Sequence, residues 1–236
     1  MAATVVLVHG GFLGPWSWRD VVVALARAGV RSVPVELPSG MGGSGAAGDL
    51  HDDADRVREV LDEVPGPVVL CGHSYGGAVI SEAAAGPHPR VRRLVYVAAA
   101  VPDVGESVAD LAPVAPSAGV AEAVRVRADG LLELTAESAR EALFHDVAPE
   151  RAAEAIGLLR PNNPATGTQA VRGAAWREVP MTFVRGAADR MPELVSSGVR
   201  WGDVESVVVP GGHCPQWSRP GMVGELLAES AGCPGR

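Results

Sequence analysis

An α/β fold on a mostly parallel sheet is the architecture this sequence predicts, and three observations predict it. Short Val/Leu-rich runs recur six times, amphipathic helical patterns separate them, and 236 residues with 47% apolar side chains suffice to cover both faces of one sheet. The runs are 4–8, 31–35, 67–71, 93–97, 181–185 and 205–209. Most are continuously apolar, as parallel strands buried on both faces require. Over 54–64, Val57, Val60, Leu61 and Val64 fall at the i, i+3, i+4, i+7 spacing of a helix. A last helix is expected from Ser218 and Pro220, read as N-cap and first-turn proline, with Val223, Leu226 and Leu227 on one face.

The alternation breaks once. Residues 99–178 carry helical patterns, clearest at 136–144 and 149–159, and no strand is read there. The expected organisation is a core of residues 1–98 and 179–236, with 99–178 a helical cap inserted after the fourth strand. Its place at the carboxyl edge of the sheet suits a lid. No internal repeat or low-complexity linker interrupts the chain.

Composition narrows the function classes. The net charge is −8, and no basic cluster exceeds Arg90, Arg92 and Arg93, which argues against nucleic acid as a partner. All 20 basic residues are arginine, read as coding bias rather than function. Cys71, Cys214 and Cys233 lie far apart with no metal-type pairing. The first strand starts at Thr4, which leaves no room for a secretory leader, and no apolar run approaches the ~20 residues that span a bilayer. A cytoplasmic protein with free thiols and no membrane contact is the expectation. Oligomeric state is not readable.

Chemistry enters at Gly72-His73-Ser74-Tyr75-Gly76, directly after the third strand run and before Gly77-Ala78-Val79-Ile80. A strand that turns sharply into a helix, with one residue in a strained conformation, needs small neighbours two positions to either side. Ser74 is therefore read as a nucleophile, which requires a base and an orienting acid. His213 is the candidate base, in Pro210-Gly211-Gly212-His213 after the last strand. Asp189 is the candidate acid, in the loop after the fifth strand, and Asp103 after the fourth is its competitor. The order Ser74, Asp189, His213 is the chain order of the α/β-hydrolase triad. Oxyanion donors are expected from the Tyr75 amide and from His9-Gly10-Gly11-Phe12 after the first strand, with Gly11 preferred and Phe12 second. His9 is read as a structural hydrogen-bonding residue beneath that loop.

These motifs resemble the small esterase and hydroxynitrile-lyase group of the α/β-hydrolase fold, which includes methyl-salicylate-type esterases and their bacterial relatives. The resemblance spans nearly the full length. It rests on His9-Gly10-Gly11 followed by Trp16-Ser17-Trp18, on Gly72 to Gly77, and on Tyr96-Val97-Ala98-Ala99. Trp176 to Pro180, Ala188-Asp189-Arg190, and Gly212-His213 followed by Ser218-Arg219-Pro220 extend it. It implies a Ser-Asp-His triad, a helical cap, no cofactor, and small esters or cyanohydrins as substrates; the expectation for this chain is a small, largely apolar carboxylic ester or lactone, with no metal. Lyases in that group carry threonine after the first-loop histidine and lysine after the catalytic one. Here those positions are Gly10 and Cys214, which favours hydrolysis. Two other classes stay open: a lyase, decarboxylase or cyclase using the same pocket, and a ligand-binding protein on the scaffold.

Three further signals have two readings each. His145, in His145-Asp146, is a substrate contact implied by the resemblance or a helix-terminal residue. Trp217 walls the pocket or fills the core, and Phe12 is counted with them as a candidate substrate contact. The run Gly40-Met41-Gly42-Gly43-Ser44-Gly45 matches a dinucleotide fingerprint. Such a site must open a helix and find an acid about 20 residues on, at the end of the next strand. That strand ends at Cys71, so the run is read as a loop near the pocket mouth.

Overall fold

Valine and leucine alternate their side chains to opposite faces along a strand, and in this chain both faces find apolar cover. The computed structural model describes residues 2–41, 47–86, 88–112 and 124–233. Six strands form one parallel sheet: β1 (Thr4–Val8), β2 (Ser32–Val35), β3 (Val68–His73), β4 (Val91–Val97), β7 (Met181–Gly186) and β8 (Glu205–Val209), in the order β2-β1-β3-β4-β7-β8. In β1, Val6 and Val8 pack with Val57 and Leu61 of α2 (Leu50–Glu63) and with Val79 of α3 (Gly76–Ala83). Val5 and Leu7 face the other way, against Val21 and Leu25 of α1 (Arg19–Arg27) and Val223 and Leu227 of α8 (Pro220–Ser230). A capping box starts α2: Asp49 accepts from the amides of His51 and Asp52, and Asp52 accepts from the Asp49 amide at 2.9 Å.

Between β4 and β7 the described residues hold α4 (Ala136–Ala142), α5 (Pro149–Gly157) and α6 (Ala165–Thr168), and also a two-stranded antiparallel hairpin, β5 (Val124–Val126) and β6 (Leu132–Leu134). The expectation of a strandless interval is corrected there. Asp129 and Gly130 turn the hairpin, with Gly130 at φ 81°. The expected N-cap is corrected too: Ser218 ends the short helix α7 (Pro215–Ser218), and α8 starts at Pro220 with no side-chain cap. Most of the glycine run at 40–45 lies outside the described residues.

At the centre of the sheet, β3 turns into α3 through a very close approach. A methyl on Gly72 would sit 2.5 Å from the Gly76 carbonyl oxygen, and one on Gly76 would sit 2.7 Å from the His9 carbonyl oxygen. Gly157 meets nothing within 4 Å at the same position. Gly72→Ala is therefore expected to lose roughly 1–3 kcal/mol of stability by overpacking, whereas Gly157→Ala is expected to be neutral or to gain up to about 1 kcal/mol. Urea denaturation of the two variants checks the contrast.

Candidate active site

The tight β3–α3 turn holds Ser74 at φ 52°, a region that side chains rarely adopt. Backbone hydrogen bonds over-determine it. Its N–H donates to the Val97 carbonyl at 3.2 Å, and its own carbonyl accepts from Gly77 and Ala100, each at 3.0 Å. Among the described residues two other non-glycines have positive φ, Phe12 at 63° and Ala98 at 44°, and both lie at the same sheet edge. Strain of this kind costs on the order of 1–3 kcal/mol per residue and persists only where the surroundings impose it.

The carboxyl ends of β3, β7 and β8 bring three sequence-predicted side chains together. His213 Nε2 lies 3.0 Å from Ser74 Oγ, and His213 Nδ1 lies 3.0 Å from Asp189 Oδ2. With Nδ1–H donating to the carboxylate, Nε2 is the acceptor that can take the hydroxyl proton. Burial opposes ionisation of Asp189. The hydrogen bond and charge of His213 and the N–H of Met191 outweigh it, holding the carboxyl below its usual range. Asp103, the competing acid, is instead paired with Arg177 at the surface.

The loop after β1 approaches Ser74 from the other side. Its Gly11 and Phe12 amides, and the Tyr75 amide that follows Ser74, donate to no carbonyl or side chain among the described residues. His9 is fully buried beneath the loop, with Nδ1–H donating to the Gly10 carbonyl at 2.9 Å and Nε2 accepting from the Leu37 amide at 3.4 Å. Burial pushes its pKa down to about 4, so it stays neutral and cannot serve as a charged catalyst. The Phe12 carbonyl accepts from the Arg160 amide at 2.9 Å, which ties the loop to the segment between β4 and β7.

Some roles were not foreseen. His73 is completely buried behind the site and donates from Nε2 to the His213 carbonyl at 2.9 Å. Burial, and then the neighbouring His213, push its pKa down to about 3. Asp146 accepts from the Gly212 amide at 2.7 Å, one residue before His213. Asp53 reaches from α2 to the Tyr75 hydroxyl at 2.7 Å and the Ser39 amide at 2.9 Å, and burial pushes its pKa up to about 6 despite both bonds. No pattern in the sequence marks Asp53 apart from other acids on helical stretches, and Asp146 stands out only as the neighbour of His145.

Two cavities open at Ser74. The larger, of about 560 Å³, has Val108, Leu132, Leu134, Leu143 and Leu194 among its apolar walls, with Gly11, Phe12, Tyr75 and His213 at its inner end. That is the size of a small-molecule site. The smaller, of about 140 Å³, lies against Ala98, Ala99, Ala100 and Phe183. Phe12 therefore touches the pocket, but Trp217 and His145 line neither cavity. Trp217 is buried between the guanidinium groups of Arg19 and Arg151 and packs edge-on against Trp16 at 5.3 Å. His145 turns its Nε2 toward Gly212 behind the His213 loop. Trp217 thus takes the second of its two readings, core packing, and His145 lies just past the end of α4, its helix-terminal reading. No group of His, Cys, Asp and Glu suited to a metal occurs among the described residues, and no described helix is long and apolar enough to cross a membrane.

Residues 5–225 match the family described as the alpha/beta hydrolase family. The chain is 30% identical, over 97% of its length and 96% of the other, to an alpha/beta hydrolase of Aspergillus novofumigatus. It is 40% identical to a carbendazim hydrolyzing esterase of Nocardioides over 47% of this chain and 48% of that one. Among solved structures, a pyrethroid hydrolase from Sphingobium faniae superposes with a TM-score of 0.82 at 23% identity, over 99% of each chain, a likeness of fold.

Two of the buried histidines, His9 and His73, shape how folding responds to acid. An unfolded histidine titrates near 6.5, but His9 and His73 bind protons in the fold only near 4 and 3. Between those limits the unfolded chain holds more protons, so stability falls as pH drops below about 6.5. At pH 5 each histidine is expected to remove on the order of 2 kcal/mol. The raised pKa of Asp53 works the opposite way and offsets about 1 kcal/mol as pH falls through 6. Urea midpoints measured from pH 7 to pH 5 should fall, and a His9→Asn variant should show a flatter decline.

Proposed function

The chain belongs to the alpha/beta hydrolase family and is an enzyme, and on that premise we propose that it is a serine hydrolase. Its substrate is a small, largely apolar carboxylic ester or lactone. Ser74 is the nucleophile, His213 the general base and acid, and Asp189 the carboxylate that orients the imidazole. The observation that carries this reading is the unbroken hydrogen-bonded path from Ser74 Oγ through both nitrogens of His213 to Asp189, opening onto an apolar cavity.

The chemistry follows from that path. His213 Nε2 takes the Ser74 proton as Oγ bonds to the substrate carbonyl carbon, and the carbonyl π electrons move to its oxygen. The amides of Gly11 and Tyr75 hold that oxyanion, with Phe12 the alternative donor in the first loop, and each such donor is worth roughly 3 kcal/mol of barrier. Collapse breaks the bond to the alcohol oxygen, which leaves with the proton from His213. Water, deprotonated by the same nitrogen, then attacks the acyl-enzyme and releases the acid, restoring Ser74. Residues 99–178 act as a cap that excludes bulk water from these steps.

Cys214 speaks for hydrolysis over cyanohydrin cleavage. Its thiol is fully buried, and burial pushes its pKa well up, so it brings no charge to the place beside His213. Ser74→Ala is expected to abolish both the hydrolysis of p-nitrophenyl acetate and labelling by a fluorophosphonate. Undiminished labelling would remove Ser74 from the role. Asp189→Asn is expected to lower kcat by three to four orders of magnitude, roughly as loss of the orienting acid does in other triads. Asp103→Asn should leave kcat within about twofold, since its carboxylate is engaged by Arg177.

A further inference from the structure

Two adjacent asparagines in the segment between β4 and β7 use their carboxamides differently. Asn163 spends everything on the fold: its Nδ2 donates to the carbonyls of Ala47 and Gly48 at 2.9 and 3.1 Å, and its Oδ1 accepts from the Ala165 amide at 3.0 Å. Asn162 does not. It is only 5% exposed, yet it makes one side-chain hydrogen bond among the described residues, from Nδ2 to Thr166 Oγ1 at 2.7 Å.

That bond fixes which way the amide faces. The single proton of the Thr166 hydroxyl is donated to the Asn163 carbonyl at 2.7 Å, so its oxygen can only accept from Asn162. The atom facing Thr166 must then be the nitrogen. The backbone is equally fixed, because Asn162 and Leu132 exchange N–H···O bonds of 2.8 Å in both directions. A second N–H and the Oδ1 acceptor remain. They belong to a side chain that lines the large cavity together with Ser74, Tyr75 and His213, and a methyl placed on Gly11 would lie 3.5 Å from its Nδ2. Neither is sealed from solvent without a partner, so a donor and an acceptor held side by side stand open to whatever enters the cavity.

We propose that Asn162 is a specificity-determining residue: its free carboxamide edge hydrogen-bonds a hydroxyl or amide group that the substrate carries next to the reacting carbonyl. This rests on the ester-hydrolase reading for its place beside the carbonyl, but the recognition itself requires no turnover. A group presenting both a donor and an acceptor matches the edge, and Gly11, with no side chain, leaves the approach open.

Methyl mandelate and methyl phenylacetate differ only by such a hydroxyl. Calorimetric titration of both into the Ser74→Ala protein is expected to show the hydroxy ester binding about tenfold more tightly, the scale of one or two neutral hydrogen bonds. In Ser74→Ala/Asn162→Leu the two esters should bind equally, through loss of affinity for the mandelate alone. Thr166→Val in the Ser74→Ala background keeps the amide but frees it to rotate, and should leave a preference of about threefold. Equal affinities while Asn162 is present would overturn the proposal, as would an equal loss for both esters in the Leu variant. If the preference holds but the wild-type protein hydrolyses neither ester, the hydrolytic reading fails and the recognition by Asn162 stands.

Discussion

The close approach of β3 and α3 is the constraint on which the rest of the molecule depends. Gly72 and Gly76 bring backbone to within what would be a 2.5 Å clash for any side chain, and only that approach turns the chain sharply enough to hold Ser74 at φ 52°. The strain is sustained because the turn lies in the middle of the sheet. β1 and β4 flank β3, and the Ser74 backbone is bonded to the ends of both β4 and α3. An edge strand would relax. The central position also puts β7 and β8 two and three places away, within reach for the loops that carry Asp189 and His213.

A second consequence is electrical. Loops that converge at one edge leave polar backbone in a dry place, and this chain satisfies much of it with neutral side chains. His9 bonds beneath the first loop, and His73 holds the carbonyl of the very residue whose ring meets Ser74. Burial keeps both uncharged, so they can donate and accept without repelling an imidazolium at His213. Asp146 and Asp53 do equivalent work for the Gly212 amide and the Tyr75 hydroxyl. The site is thus framed by groups whose bonds go to the backbone and side chains that hold it, rather than into the cavity.

How much of this was legible follows from how local each cause is. The six strands were readable because parallel strands covered on both faces leave continuous apolar runs, and the β3–α3 turn because its glycines are required within five residues. Ser74, Asp189 and His213 could be nominated because each follows a strand run, and the structure sets their side chains in hydrogen-bond contact. The β5–β6 hairpin was missed because its strands are three residues each and partly exposed, although Asp129-Gly130 between Val-x-Val and Leu-x-Leu is a hairpin signature. Trp217 kept two readings because an aromatic near His213 in sequence need not face it. The short helix α7 instead turns that ring between Arg19 and Arg151. Asp53 and Asp146 act through tertiary contacts with residues 14 to 66 positions away, and nothing local announces such contacts.

That division between legible and hidden has a physical origin. The reacting atoms must be placed to within tenths of an ångström, and the chain achieves this with glycine turns and strand ends, whose causes are written in a few adjacent residues. The cavity has a looser requirement of volume and apolar lining, which many sequences meet, so its walls come from short elements of mixed burial between β4 and β7. Polar groups in those walls are the exception to that tolerance. A carboxamide edge in an apolar wall gives up the contact energy that an apolar side chain would gain there. Selection for stability alone would replace such a side chain with leucine. Its presence at Asn162, clamped by Thr166 so that it cannot turn away, places specificity in a residue whose polarity the fold does not need.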